Sequence, residues 1–316
     1  MRILGISFGT KNGTNDTVCK VALKGAEDAG AEVQFIQMST LNIKHCTGCC
    51  ACVKTLLSGK GNMCVLKDDF EWLLNKMKDA DGIIVSDPIF EEGASGLFHT
   101  IMDRFGPRTD RGNNIIGTKV AEATNGKIPD QRILKDKVIS FMGVGGSDWG
   151  TRVKCEHAML ALTPMWKVID NEWFPWAKEL IMDDERINTV YQVGVNIAEA
   201  AKDIENASYK GEKGICPHCH NKLFYLEPGS KKAICSLCGM VGEIDTVSGE
   251  TIFNFPKEQL EHAHDTLSGK FIHGDDIKTM EGHFAEVRKT PEFKERKEKY
   301  NFIEPLKKDE KETILV

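Results

Sequence analysis

The chain has no unbroken run of about 18 apolar residues, the length a membrane-spanning helix needs. It also has no excess of positive charge. Forty-one basic and 47 acidic residues leave a formal net charge of -6, which gives no support to a broad nucleic-acid-binding face. The opening residues, Met1-Arg2-Ile3-Leu4-Gly5-Ile6-Ser7, lack the basic, apolar and small-residue order of a secretory leader and read as a strand. The expected location is the cytoplasm, with no membrane and no nucleic-acid partner. Disulfides are rare there, so clustered cysteines point to metal or redox chemistry. The first glycine-containing loop matches neither the Walker A phosphate loop nor the Gly-x-Gly-x-x-Gly dinucleotide fingerprint.

Cysteine is abundant, and nine of the eleven fall in two groups. The first group is His45-Cys46-x-x-Cys49-Cys50-x-Cys52, with Cys64 following after eleven residues. The second is Cys216-Pro-His-Cys219 and, after fifteen residues, Cys235-Ser-Leu-Cys238-Gly239. Two Cys-x-x-Cys turns supply four thiolates to one tetrahedral ion. Structural Zn2+ on Cys216, Cys219, Cys235 and Cys238 is therefore expected. A rubredoxin-like iron site uses the same ligands, so spacing alone leaves the metal open. His218 and His220 are spare donors beside a set that four thiols already complete. A ribbon over residues 209–255 is too small for an apolar core of its own and would depend on its metal. Cys19 and Cys155 read as buried small side chains, and His262 and His264 as scattered surface or capping histidines.

The rest of the chain alternates short apolar runs with helical spacing. Strands are expected at 2–8, 32–38, 82–86, 137–142 and 166–175, with helices between them and a closing helix over 188–204. This pattern implies a doubly wound α/β domain over 1–208, whose five-stranded parallel sheet is covered on both faces. Ligands of such sheets sit beyond the carboxyl ends of the strands, where loops 9–16, 87–96 and 143–149 lie. Residues 106–136 read as an irregular insertion, and 256–316 as a helical and polar extension with one helix over 256–269.

Loop 9–16 offers glycine backbone, two threonine hydroxyls and a lysine just before a helix, a composition that suits a terminal phosphate or an ordinary capped turn. The segment Gly5-Ile6-Ser7-Phe8-Gly9-Thr10-Lys11-Asn12-Gly13-Thr14-Asn15 resembles the opening of the NADPH-dependent FMN reductases, a flavodoxin-like family. Thr10 stands where that family often has proline, and Thr14-Asn15 where it often has Asn-Thr. Asp87-Pro88-Ile89-Phe90-Glu91-Glu92-Gly93-Ala94-Ser95-Gly96 resembles the family's second flavin loop, and Ile101-Met102-Asp103-Arg104 the end of the helix that follows it. Gly143-Val144-Gly145-Gly146 resembles the third loop.

The resemblance covers about residues 1–205. It implies that Gly9, Thr10, Lys11, Gly13, Thr14 and Asn15 hold the FMN phosphate. Pro88, Ile89, Phe90, Gly93 and Ser95, with Gly143, Val144, Gly145 and Gly146, would flank the flavin ring. Phe90 or Trp149 would stack on the ring, and Arg152 would meet a substrate carboxylate or a pyridine-nucleotide phosphate. Each of these three residues has an equally simple structural reading.

Within the same family, the first cysteine group resembles the run of the iron-sulfur flavoproteins. That likeness implies a [4Fe-4S] cluster on Cys46, Cys49, Cys52 and Cys64, with Cys50 an alternative to Cys49. The stretch 56–62 lengthens the interval before Cys64. The expected activity is an FMN-dependent oxidoreductase that couples a two-electron flavin reaction to one-electron transfer through the cluster. Its donor would be ferredoxin or NAD(P)H, and its substrate a small redox-active molecule. The alternatives are an NAD(P)H-dependent FMN or quinone reductase with structural cysteine sites, or a non-enzymatic electron carrier or sensor. A homodimer or homotetramer is expected.

Overall fold

The computed structural model describes residues 1–301. The charged run 307–312 of the expected extension lies outside the described residues. Met1–Phe271 forms one compact unit, and a second begins at Ile272.

Five apolar segments pair in parallel in the first unit. They are β1 (Arg2–Ser7), β2 (Glu32–Gln37), β3 (Gly82–Pro88), β4 (Val138–Val144) and β5 (Lys167–Phe174), in the order β2-β1-β3-β4-β5. Every residue of β4, and all of β3 except Pro88, is buried, as a parallel strand covered on both faces requires. Helices α1 (Thr14–Asp28) and α7 (Asp184–Lys202) cover one face around Val18, Ile84, Met142 and Ile197. Helices α3 (Phe70–Asp79), α4 (Gly96–Thr109) and α6 (Val153–Leu162) cover the other around Phe98, Phe105, Phe141 and Leu160. This is the expected flavodoxin-like doubly wound sheet. Its strand order reverses at β1 and β3, where such folds bind their ligand.

The first part of the segment 106–136, to Ala123, is helical rather than irregular. Helix α4 runs on to Thr109, the Asp110 side chain accepts from Asn113 N, and α5 (Arg111–Ala123) follows at once. The buried face of α5 is Gly112, Asn114, Gly117 and Ala121. A helix that buries small and polar residues has no large-apolar period to read. Its partner is α2 (Ala51–Leu57), which carries the end of the first cysteine run. A side chain at position 117 would collide with Leu56. Asn62 Nδ2 donates to Arg108 O at 2.9 Å, and Lys127 N donates to Gly59 O at 2.7 Å. The lengthened stretch 56–62 and the 106–136 segment thus form one packed unit.

The ribbon is a four-stranded antiparallel sheet of β6 (Phe224–Leu226), β7 (Lys232–Cys235), β8 (Val241–Val247) and β9 (Glu250–Asn254). Its outer members are β6 and β9. The single helix expected over 256–269 is instead broken. After the short α8 (Gln259–His262), Ala263 is extended and buried in the ribbon core. His264 N donates to Cys238 O at 2.9 Å, and Asp265 accepts from His218 at 2.7 Å. Docking on the ribbon outweighs helical propensity in these residues. The chain restarts as α9 (Leu267–Val287), where Thr266 Oγ1 accepts from Gly269 N, and then α10 (Pro291–Glu298).

One buried acid strains the sheet. Asp170 on β5 is 4% exposed and accepts from Asn196 at 3.0 Å and from Ser140 at 3.3 Å. Burial outweighs these bonds and raises its carboxyl from 3.8 to about 6. Between those values the folded form holds the proton that the unfolded form has lost, so stability falls as pH rises. Above pH 6 the full cost is present. Asp170→Asn should therefore stabilise the protein at pH 7.5 by up to about 3 kcal/mol in urea unfolding, and by little near pH 3.5. Gly117→Val should cost about 2 kcal/mol by overpacking α5 against Leu56, read as a lower urea midpoint.

Candidate active site and metal centres

Three loops converge at the carboxyl ends of β1, β3 and β4. The first is held from outside itself. Asp16, buried in the first turn of α1, accepts from Ser7 Oγ at 2.6 Å and Asn12 N at 2.7 Å. Gln37 Nε2 donates to Gly9 O at 2.6 Å. Asn15 Oδ1 accepts from Ser86 Oγ at 2.9 Å, which ties the loop to β3. Helix α1 opens at Gly13 with no side-chain cap, so its first N–H groups lack the usual partner. Thr10 and Lys11 stand exposed beside that end. Uncapped helical N–H groups, a hydroxyl and an ammonium fit a phosphate dianion.

The second loop turns tightly. Phe90 and Gly93 exchange backbone hydrogen bonds at 3.1 and 2.9 Å, and Glu91 and Glu92 take positive φ between them. Asp87, at the end of β3, accepts from Ser95 N at 2.9 Å and Ser95 Oγ at 2.6 Å. The same carboxylate lies 3.2 Å from His157 Nε2, and both side chains are fully buried. Ile89 packs against Gly143 and Gly145, so the second and third loops touch. Gly145 N donates to Phe174 O at 2.9 Å, and Ala177 N donates to Gly145 O at 2.9 Å, which anchors the third loop to the exit of β5.

Helix α6 staples the second loop from below. Glu156 Oε2 accepts from Ala94 N at 2.7 Å and lies 3.2 Å from His99 Nε2. Arg152, read from the sequence as a substrate contact, donates to Glu91 O at 2.5 Å through Nη2 and to Glu92 O at 3.1 Å through its backbone N. Its guanidinium is thus engaged in holding the turn. Phe90 and Trp149 are 62% and 58% exposed, so two aromatic faces are open at this end of the sheet. Trp176 and Met182, after β5, are exposed apolar residues that sequence reading missed. The Asp87–Ser95–His157 contact was missed too, since its members lie far apart in the chain.

The first cysteine run reaches α4 at His45, whose Nδ1 lies 3.5 Å from Thr100 Oγ1. Cys46, Cys49 and Cys50 are exposed, and Cys52 and Cys64 are half-buried. Cys50 has left-handed φ immediately before α2. Hydrogen bonding from Ala51 N–H and the Thr47 side chain lowers the Cys49 thiol, whereas burial raises Cys52. Arg104 pairs with buried Asp68, donates to Lys44 O at 3.1 Å and lies 3.6 Å from Cys64 Sγ. Among the described residues, the run belongs to no group compact enough for a single ion. A four-iron cube would hold its thiolates farther apart.

The ribbon quartet is such a group, with ligand atoms all within 4.8 Å of one another among the described residues. Cys216 and Cys238 sulfurs are 3.9 Å apart, and those of Cys219 and Cys235 are 3.5 Å apart. A tetrahedron with 2.3 Å metal–sulfur bonds has edges of about 3.8 Å. Each knuckle is followed by a left-handed residue, His220 or Gly239, which turns the chain away from the sulfurs. Hydrogen bonds from neighbouring thiols, Cys219 first, lower Cys216. Cys235 is also lowered, while Cys219 and Cys238 are raised. Metal binding would release the protons that the raised pair retains. Cys19 and Cys155 are buried as expected, and Cys155 Sγ lies 3.4 Å from Ser236 Oγ of the ribbon.

Residues 1–179 match the family model of NADPH-dependent FMN reductase. The chain belongs to this family. An iron-sulfur flavoprotein of Methanocaldococcus jannaschii is 34% identical over 220 residues, which are 65% of this chain and 100% of that protein. Flavone synthase cfoJ of Aspergillus candidus is 26% identical over 269 residues, 77% of this chain and 78% of that protein. A solved structure of a flavone reductase is 58% identical, covers 98% of this chain and 100% of its own, and superposes with a TM-score of 0.88. The protein is thus an FMN-binding oxidoreductase with the flavodoxin-like fold. No helix among the described residues is long and apolar enough to cross a membrane.

A methyl group at position 93 would collide with the Glu156 carboxylate. Gly93→Ala should therefore lower FMN affinity by roughly tenfold in a fluorescence titration, with little change in the sheet by circular dichroism. Cys235→Ser should lower metal content and melt the ribbon, read as faster proteolysis between 209 and 255.

Proposed function

We propose that this FMN reductase saturates the conjugated carbon–carbon double bond of a flavone-type ketone at the expense of NAD(P)H. The reading is carried by the match to a flavone reductase, at 58% identity over 98% of the chain. A second relative with flavone in its name, flavone synthase cfoJ, supports the same substrate class. This is the plain reductase reading, in which neither cysteine site takes part in the reaction. FMN, when bound, supplies the hydride relay between the nicotinamide and the substrate. For each double bond saturated, one NAD(P)H and one proton are consumed, giving NAD(P)+ and the saturated ketone.

The protein's part is to bind, orient and exclude water. The uncapped start of α1, with Thr10, Lys11, Gly13 and Thr14, would hold the phosphate. The backbone of 88–95 and 143–146 would line the ring. Phe90 and Trp149 offer flat apolar faces that suit a planar polycyclic substrate. Arg152 and Glu156 act as positioning residues, because their contacts are to the loop backbone.

In the ribbon, the four thiolates suit Zn2+ as a structural ion, and a tetrahedral iron would take the same ligands. A second reading adds a [4Fe-4S] cluster on Cys46, Cys49, Cys52 and Cys64, exchanging single electrons with a ferredoxin. It is favoured by the match to an iron-sulfur flavoprotein, by the lowered Cys49 thiol and by the Arg104 guanidinium beside Cys64. Iron, acid-labile sulfide and zinc measured in anaerobically purified protein separate the two.

The reaction is tested by incubating that protein with NADH or NADPH and a flavone, following nicotinamide oxidation and product mass. One nicotinamide consumed per product heavier by two hydrogens is expected. Flavin reduction by NAD(P)H without any flavone turnover would overturn the substrate class. Phe90→Ala should raise KM for the flavone by up to roughly tenfold while leaving flavin content intact.

A further inference from the structure

We propose that the cleft between α6, the edge strand β5 and the ribbon is a second ligand site, built for a neutral, planar aromatic molecule. The cleft has a volume of about 680 Å³, within the range of small-molecule sites. None of the residues of the three flavin loops lines it. Its floor is the outer face of α6, through Ala158, Ala161 and Leu162, continued by Met165 and Trp166. Its far wall is the ribbon, through Leu223 and Leu237.

The walls are aromatic as well as apolar. Trp173 closes one end. At another part of the wall the rings of Tyr209 and His220 stack with centroids 4.4 Å apart and planes 13° apart. The left-handed conformation of His220, which the metal knuckle imposes, sets this ring against Tyr209. The ribbon therefore contributes a ring as well as a wall.

The charges at the rim are engaged with one another. Lys154 lies 3.4 Å from Glu172 and 3.7 Å from Glu212, and Lys222 lies 2.5 Å from Glu212. His218 bonds Asp265 at 2.7 Å, and Lys167 donates to the carbonyls of Ile204 and Glu205. An ionic ligand would have to displace one of these partners. A flat uncharged molecule with polar edges would not. It could bury its faces against the tryptophan and the stacked rings while its edges meet the polar rim.

Trp173 also connects the cleft to the reaction side. It pairs in register with Gly143 of the third flavin loop, and its ring packs on Gly150. The site thus lies one residue away from the flavin loops without sharing them.

Unsubstituted flavone is the probe, a choice that rests on the substrate class proposed above. Equilibrium dialysis of the FMN-loaded, metal-loaded protein should find two flavones per chain. Ala158→Trp and Leu223→Trp, which fill the cleft from opposite walls, should each bind one, with FMN and zinc content unchanged. Hydrogen exchange of the unaltered protein guards against a variant that fails to fold. Flavone should slow exchange over 154–168 and 207–223. One flavone per chain in the unaltered protein, two in both variants, or no protection of these segments would overturn the proposal. So would a single flavone that both variants abolish, because the cleft would then be the substrate site itself. Turnover is measured separately. Two bound flavones without reduction would leave this site standing and remove the proposed reaction.

Discussion

The buried carboxylate of Asp87 is the constraint on which the loop end of the parallel sheet depends. It sits at the end of β3, accepts both Ser95 donors and faces His157 on α6. A buried carboxylate is costly unless its oxygens are occupied. Here the occupants belong to the second loop and to the helix beneath it, so satisfying one charge fixes the relative position of a strand, a loop and a helix. The left-handed pair Glu91 and Glu92 can persist because the turn is held at both sides, by the Phe90–Gly93 bonds and by Arg152.

Helix α6 carries that constraint across the molecule. Arg152 and Glu156 face the second loop, whereas Lys154, Cys155 and Ala158 face the ribbon and the cleft. Residues three and four apart share a face of a helix, so one short helix presents two separate surfaces. The ribbon is accordingly part of the first compact unit and touches α6 where Cys155 Sγ lies 3.4 Å from Ser236 Oγ. Elsewhere, α5 packs on Leu56 of α2, and the residues flanking α5 bond Asn62 and Gly59, which fixes the stretch between Cys52 and Cys64.

Much of the architecture was legible from periodicity. The five strands, the crossover helices and the three loops at strand ends appear where apolar runs and glycines put them, because a parallel strand buried on both faces must be apolar almost throughout. The ribbon quartet was legible from spacing, since a knuckle places two sulfurs on one side of a tight turn. Helix α5 was not legible, because its buried face is Gly112, Asn114, Gly117 and Ala121. The break at 263–266 was not legible either. Its cause is docking of Ala263, His264 and Asp265 on the ribbon, and local propensity does not contain that contact.

By itself, the sequence determined the sheet, the order of its loops and the residues able to bind one tetrahedral ion. These depend on local patterns of apolarity, glycine and cysteine. Only the tertiary structure decided that Arg152 grips a turn, that Asp87 joins Ser95 to His157, and that the ribbon and α6 enclose a cleft. Each of these joins residues distant in the chain, and their meeting depends on how the helices pack against the sheet.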